Sequence, residues 1–136
     1  KVGPSGESAP RSFRMRQDAH STALGKAMLA YKSFEELKEI YKTYTLHQHT
    51  ENTIPSLEKL YMELRKVRTN GYSTNEAETF HYVYGVGAPI LDKQNRAIAA
   101  ISLSGTKSTI NIKTIPILAE EITKTSKNIS LKISDN

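Results

Sequence analysis

The sequence predicts an α+β domain in which helices lie on an antiparallel sheet. Apolar residues recur at helical spacing between residues 22 and 70. Two strand-like segments joined by a polar turn follow them, and a long amphipathic segment closes the chain. At 136 residues, with 38% hydrophobic and 24% charged residues, the chain is long enough for one core and too short for two full domains.

The first half of the chain is predicted to be mainly helical. Residues 11–16 alternate polar with apolar and predict a half-buried strand. A first helix is expected over residues 22–32, with Ser21 or Thr22 as its N-cap and a side of small residues that indicates close packing. Ser33 and Glu36 have capping-box spacing, so a second helix should begin at Ser33 and end near residue 43.

A polar loop is expected over residues 46–55. Ser56 then caps a third helix, which Asn70 and Gly71 should end. Residues 72–75 predict a short strand, and residues 81–91 predict a longer one that contains two glycines. The polar turn at 92–96 joins it to a strand at 97–104, both faces of which should be covered. A closing helix over residues 114–133 has an apolar stripe suited to the core or to a partner.

The charge distribution argues against a nucleic-acid surface on this chain. The formal net charge is +5 and the pI is near 9.4. The lysines, however, are spread along residues 26–132, mostly beside glutamates, and form no basic stripe interleaved with aromatic residues. We therefore interpret them as a solvated face and expect no direct DNA binding by this chain.

Cysteine usage and hydropathy narrow the class of protein further. The sequence has no cysteine, which excludes disulfides, thiolate catalysis and cysteine-based metal sites and favours a reducing cytoplasm. No apolar run approaches the roughly 20 residues of a membrane helix. The chain begins with lysine, and its Gly/Pro/Ser-rich residues 1–10 are expected to form a flexible segment with a truncated start.

No enzymatic motif stands out, and we expect neither catalysis nor a cofactor. A Gly-x-Ser-x-Gly elbow and a phosphate loop are both missing from the sequence. Glu76 and Glu78 are expected to be solvated in a turn. The alternative function is a metal-binding or hydrolytic domain that uses His47, His49 and Glu51. Zinc normally has three or four protein ligands, so two histidines are too few without Glu51, and side chains in a Thr/Asn-rich loop are more often simply exposed.

Two features suggest a small-molecule site instead. Ser102 and Ser104 are two residues apart on one predicted strand, so their hydroxyls share a face with small apolar residues, as in a ligand pocket. Hydrogen bonds from both serines to neighbouring backbone are an equally good interpretation. Unpaired N–H groups of Ala23, Leu24 and Gly25, at the start of the first helix, can bind an anion.

Three ordered segments resemble the effector domain of the IclR family of bacterial transcriptional regulators. The first is HSTALGKAMLA at residues 20–30, and the second is the helix from residue 57 that ends in RKVRTNGY at residue 72. The third is GAPILD at residues 87–92 followed by AAISLSG at residues 99–105. The likeness extends over about residues 11–133.

The resemblance implies a GAF-like effector-binding domain over residues 11–136, normally preceded by a DNA-binding winged helix-turn-helix that this chain does not contain. It also implies a homodimer or homotetramer, contact with DNA only through that other domain, and a small metabolite ligand, often a carboxylate. The ligand-binding residues carried over from the family are Ala23, Leu24, Asn75, Val83, Gly85, Ser102 and Ser104.

Two departures from the family pattern bear on the ligand. Asn75 stands where the family often has aspartate, and YVYG at residues 82–85 replaces a segment that usually contains cysteine. The pocket is thus expected to lose a charge and a thiol and to gain tyrosine bulk.

Overall fold

The structure, a computed structural model, describes residues 16–134. The predicted flexible segment 1–10 and the predicted strand at 11–16 lie outside the described residues, apart from Arg16. A short 3-10 turn at Ala19–Ser21 precedes the larger elements. In chain order these are the helices and strands α1 (Ala23–Leu29), α2 (Phe34–Ile40), α3 (Leu57–Asn70), β1 (Ser73–Glu76), β2 (Tyr84–Leu91), β3 (Ala97–Gly105) and α4 (Ile115–Ser134). The α+β class is confirmed.

The predicted helix starts are confirmed by their cap hydrogen bonds. The Thr22 side chain accepts a bond from the backbone N–H of Gly25 at 3.1 Å. Ser33 and Glu36 form the reciprocal capping box, and the Ser56 side chain accepts from the third residue of α3. Gly71 ends α3 with a φ of 82°, a left-handed conformation that favours glycine.

Helices α1 and α2 end earlier than their apolar patterns predict. The chain turns after Ala30, and the capping box at Ser33 then fixes an extended backbone at that residue. Helix α2 ends at Ile40, whose carbonyl accepts from both Thr43 and Tyr44 in a tightened last turn. For α1, the capping box that begins α2 therefore overrides the helix propensity of the residues between the two helices.

The sheet is antiparallel with the order β1-β2-β3. Its register places Gly85 between Asn75 of β1 and Ser104 of β3, and Gly87 opposite Ser102. The predicted strand at 81–91 is wrong over its first three residues, because the backbone N–H of Val83 bonds to the Phe80 carbonyl and closes a turn. Strand β2 starts only at Tyr84.

The two faces of β2 pack against different helices. Val86 and Ala88 lie in a buried cluster with Ile110, Ala119 and Ile122, which places α4 on one side of the sheet. Helix α1 lies on the other side, against the glycines of β2. A second buried cluster joins α1, α2 and α3 beside the sheet and contains Leu29, Ala30, Leu37, Leu60, Leu64 and Val67.

Strand β3 is less covered than its sequence predicts. It is the last strand of the sheet among residues 16–134, and its Ile98 and Leu103 side chains are exposed. The expectation of cover on both faces is therefore wrong within this part of the chain, because α4 packs mainly on the central strand and leaves much of β3 uncovered.

None of the helices between residues 16 and 134 is both long and apolar enough to cross a bilayer.

Candidate functional site

A cavity of about 840 Å³ lies between the start of α1, the loop after β1 and the inner face of β3. All seven residues that the sequence analysis named as a ligand site line this cavity: Ala23, Leu24, Asn75, Val83, Gly85, Ser102 and Ser104. The structure thus brings together residues that are up to about 80 positions apart in the sequence. Ligand binding by these residues remains a prediction.

Glycines in β2 allow α1 to lie against the sheet at the cavity wall. A Cβ atom on Gly87 would lie 2.7 Å from the backbone oxygen of Ala23, and one on Gly85 would lie 3.5 Å from the Ala23 Cβ. Any larger residue at position 87 would therefore push the helix away. Because the strand register places Ser102 and Ser104 opposite these glycines, the serines share the cavity with the helix start.

The two serine hydroxyls face the cavity without internal partners. Neither Ser102 nor Ser104 makes a side-chain hydrogen bond to another residue within residues 16–134. Bonds to neighbouring backbone, the other interpretation of this pair, are therefore not what the structure contains. A hydroxyl in this situation can both donate to and accept from a bound molecule.

The first turn of α1 contributes backbone donors. Thr22 takes up the N–H of Gly25 with its side chain and that of Lys26 with its carbonyl. The N–H groups of Ala23 and Leu24 precede them in the helix and have no intrahelical acceptor. Both residues line the cavity, so the helix start adds two donors to its wall.

Asn75 is held in a defined orientation at the end of β1. Its Oδ1 accepts a 2.9 Å hydrogen bond from the backbone N–H of Glu78. The oxygen is thereby used within the protein, and the amide NH₂ is left as a donor. Asn75 is buried and lines the cavity, so its amide group adds donor capacity without charge.

Sequence reasoning expected tyrosine bulk from residues 82–85 but missed Phe80 as part of the cavity wall. Phe80 and Tyr82, from the loop before β2, line the cavity with their rings stacked at a centroid distance of 5.8 Å. Phe80 precedes the predicted strand at 81–91, and no sequence pattern marked it as a cavity residue. Gly25 also lines the cavity, but its N–H, expected to be unpaired, bonds to the Thr22 side chain. The remaining lining residues are Gln17, Ala19, Thr22, Met28, Ala100, Gly105 and Thr106. The lining within residues 16–134 carries no acidic or basic side chain.

A buried ion pair joins α1 to the loop after β1, the two segments that form part of the cavity wall. Lys26 is 1% exposed, and its Nζ donates to both carboxylate oxygens of Glu78 at 2.7 and 3.0 Å. Burial raises the pKa of Glu78, and the nearby Lys26 ammonium opposes that rise. The expectation of a solvated Glu78 is wrong, because this carboxylate also accepts from the Glu76 N–H and turns inward.

Threonines from the 46–55 loop fix the same region. Thr50 Oγ1 donates to the Ala77 carbonyl and Thr53 Oγ1 to the Glu78 carbonyl, each at 2.6 Å. Thr79 Oγ1 donates to the Ser21 carbonyl at 2.7 Å. These hydrogen bonds join the loop after β1 to two other segments and so hold the Phe80 wall in place.

The alternative metal set is not brought together by the fold. Glu51 Oε2 lies 3.5 Å from His81 Nδ1 on the surface, whereas His49 Nε2 lies 2.8 Å from Asp18 Oδ2. The backbone carbonyl of His47 accepts a hydrogen bond from His20 Nε2 at 2.9 Å. Within residues 16–134, His47, His49 and Glu51 do not form a group with metal-ligand spacing.

Comparisons with known proteins agree on one family. The family described as the bacterial transcriptional regulator IclR C-terminal matches residues 13–131. The HTH-type transcriptional regulator KdgR of Dickeya chrysanthemi is 36% identical over 89 residues, which are 65% of this chain and 29% of that protein. The chain spans less than half the length of the curated relatives it matches.

Solved structures of transcriptional regulators superpose on this structure. The IclR protein of Thermotoga maritima matches with a TM-score of 0.84 and 34% identity over 93% of this chain and 52% of that chain. The C-terminal domain of the Escherichia coli transcriptional regulator KdgR matches with a TM-score of 0.79 and 27% identity, over 86% of this chain and 71% of that domain.

Proposed function

Because this chain belongs to the IclR family of bacterial transcriptional regulators, matching their C-terminal domain, we propose that its cavity binds a small effector molecule. The observation that supports this most is that the seven residues expected from the family resemblance all line one cavity, where the serine hydroxyls have no hydrogen-bond partner among residues 16–134. At about 840 Å³, the cavity is in the usual size range of small-molecule sites, roughly 300–1,000 Å³.

The polar groups of the cavity suit a ligand rich in hydrogen-bond acceptors. Ala23 and Leu24 offer backbone N–H groups, and the Asn75 side chain offers an amide NH₂. Among the described residues, the cavity lining contains no carboxylate that would repel an anion. We therefore propose a small metabolite with a carboxylate or similar group at the start of α1 and its body against Phe80, Met28 and Ala100.

The serines would orient this ligand from the opposite wall. Ser102 is half-buried and Ser104 is exposed, both line the cavity, and both can donate to an oxygen of the ligand. Val83 and Gly85 complete the wall between the serines and Asn75. These groups would orient a bound ligand although none of the described lining side chains is charged.

The role of the whole protein is proposed from its family. We propose that residues 11–136 form the effector-binding and oligomerisation domain, and that ligand binding changes DNA binding by an N-terminal winged helix-turn-helix. A homodimer or homotetramer in the cytoplasm, without catalytic activity or cofactor, completes the proposal. A hydrolytic role, or a metal site formed by His47, His49 and Glu51 together, is not part of this proposal.

Native mass spectrometry tests the proposed cavity. The chain is mixed with small carboxylates, with pyruvate as an aliphatic and benzoate as an aromatic probe, and the bound mass is measured. Ala100→Leu fills the cavity from its wall, and Ala99→Leu places the same side chain on the other, exposed face of β3 as a control. We expect a one-to-one complex that Ala100→Leu abolishes and Ala99→Leu retains. Equal retention by both variants would place the ligand elsewhere.

A further inference from the structure

A second cluster of polar side chains lies outside the cavity. Asp18, His20 and His49 each place one potential metal-ligand atom within 4.8 Å of the other two. Two of them are already in contact, with His49 Nε2 2.8 Å from Asp18 Oδ2. None of the three lines the effector cavity. We propose that Asp18, His20 and His49 bind one divalent transition-metal ion of the Zn²⁺ type.

His20 has the environment of a metal-binding imidazole. Its Nε2 lies 2.9 Å from the carbonyl oxygen of His47, which can only accept, so Nε2 bears the proton. The other nitrogen, Nδ1, is thereby left with its lone pair and makes no hydrogen bond within residues 16–134. A backbone carbonyl bonded to one ring nitrogen is the usual support of a histidine whose other nitrogen holds a metal.

The distances require only small side-chain movements to close around an ion. Zn²⁺ bonds of about 2.0–2.2 Å in a tetrahedron place neighbouring ligand atoms about 3.4 Å apart. The longest separation in the cluster, 4.8 Å or less, must therefore shorten by about 1.4 Å at most. The side chains of His49 and Asp18 are 35% and 37% exposed, so they are free to move, while His20 is buried and fixed.

The donor types select the kind of ion. Two imidazoles and one carboxylate suit Zn²⁺, Ni²⁺ and Cu²⁺, whereas Mg²⁺ and Ca²⁺ prefer oxygen ligands alone. Three protein ligands leave a fourth position for water on the exposed side.

The ion would connect two segments that border the cavity. Gln17, Ala19 and Thr22 line the cavity, while Asp18 and His20 lie on the other side of the same short segment. His49 belongs to the loop whose Thr50 bonds to the Ala77 carbonyl. A bound ion would therefore hold the wall segment 17–22 against the loop 46–55 without entering the effector cavity.

Calorimetric titration of the 136-residue chain with ZnSO₄ tests the site. The test variants are His49→Gln and Asp18→Asn, which change partly exposed side chains and should leave the fold intact. His47→Gln and His81→Gln are controls, since each removes an exposed histidine that is not part of the cluster. Thermal unfolding without metal shows that all four variants are folded.

We expect one Zn²⁺ per chain, with an affinity that falls at least about 100-fold in His49→Gln and in Asp18→Asn. The controls should stay within about threefold of the parent chain. Added Co²⁺ should give the intense visible absorption of a four-coordinate site, and His49→Gln should lose it. Absence of stoichiometric Zn²⁺ binding, or an affinity that the control variants reduce as much as the test variants, would overturn the proposal.

Discussion

The hydroxyl of Ser73 donates a 2.6 Å hydrogen bond to the backbone carbonyl of Ala23. This bond links the first residue of β1 to the first residue of α1 across the face of Gly87, where no Cβ intervenes. Ala23 also supplies one of the N–H groups at the cavity wall. The position of the helix start, and with it the geometry of the cavity, therefore depends on a strand residue that does not line the cavity itself.

Replacing Ser73 by alanine should lower the free energy of unfolding by about 0.5–1.5 kcal/mol, because the Ala23 carbonyl loses the hydrogen bond that adds to its own intrahelical one. Urea unfolding of this variant measures the loss. Ser108→Ala removes a hydroxyl bonded only to Thr106 on the surface and should stay within about 0.5 kcal/mol of the parent chain. Equal stability of the Ser73 variant and the parent chain would refute this role of the bond.

Gly25→Ala should lower the stability of the chain more than the addition of one methyl group would suggest. A Cβ at this position would lie 2.3 Å from backbone atoms of Ala19, so α1 and the preceding turn must separate. Overpacking of this kind costs typically about 1–3 kcal/mol or more. Gly71→Ala is the matched control, because it meets no atom closer than 3.9 Å and strains only its own backbone. Thermal unfolding should rank Gly25→Ala as the less stable variant, and the reverse order would contradict the packing described here.

Lys26→Met should destabilise the chain strongly, because it leaves the buried Glu78 carboxylate without its cation. Loss of one partner of such a pair costs about 3–5 kcal/mol. The double variant Lys26→Met/Glu78→Leu removes both charges and should regain a large part of that loss. Chemical denaturation of the single and double variants measures both effects. A double variant no more stable than Lys26→Met would show that the pair is not the cause.

Asp92, in the turn between β2 and β3, should make the stability of the folded chain depend on pH in the acid range. A hydrogen bond from the Arg96 backbone N–H, aided by the Arg96 side chain and the Gln94 N–H, holds the pKa of Asp92 below its ordinary value of 3.8. A lowered folded-state pKa contributes stability that is present above the ordinary value and lost as pH falls through the folded-state value.

The unfolding free energy measured between about pH 5 and pH 2.5 should therefore fall less steeply for Asp92→Asn than for the parent chain. The two curves should run parallel above about pH 5. Identical slopes across the acid range would mean that the turn does not stabilise the ionised carboxylate.

The sequence predicted the elements that have strong local signals. Cap residues at Thr22, Ser33 and Ser56 lie where the structure uses them, since a cap bond depends on residues three positions apart. The cavity residues were found through the family resemblance, together with the two-residue spacing of Ser102 and Ser104. The hairpin of β2 and β3 was predicted from the polar turn at residues 92–96.

What the sequence did not reveal depends on contacts between distant residues. Lys26 and Glu78 pair across 52 positions, and each by itself resembles a solvated charge. Phe80 and Tyr82 have the residue types of a strand, and only the hydrogen bonds around them show a loop. The polar 46–55 loop was expected to be exposed, yet Thr50 and Thr53 are buried by bonds to the loop after β1.

The most direct test of the proposed effector site is calorimetric titration of Ser104→Ala and Ser102→Ala with a carboxylate that binds the parent chain. A hydrogen bond to a charged group contributes about 1.5–3 kcal/mol, so each variant should bind roughly tenfold or more weakly while keeping its thermal stability. Thr125→Ala, on the exposed side of α4 and outside the cavity, should bind like the parent chain. Unchanged affinity in both cavity variants would contradict the assignment of this cavity as the effector site.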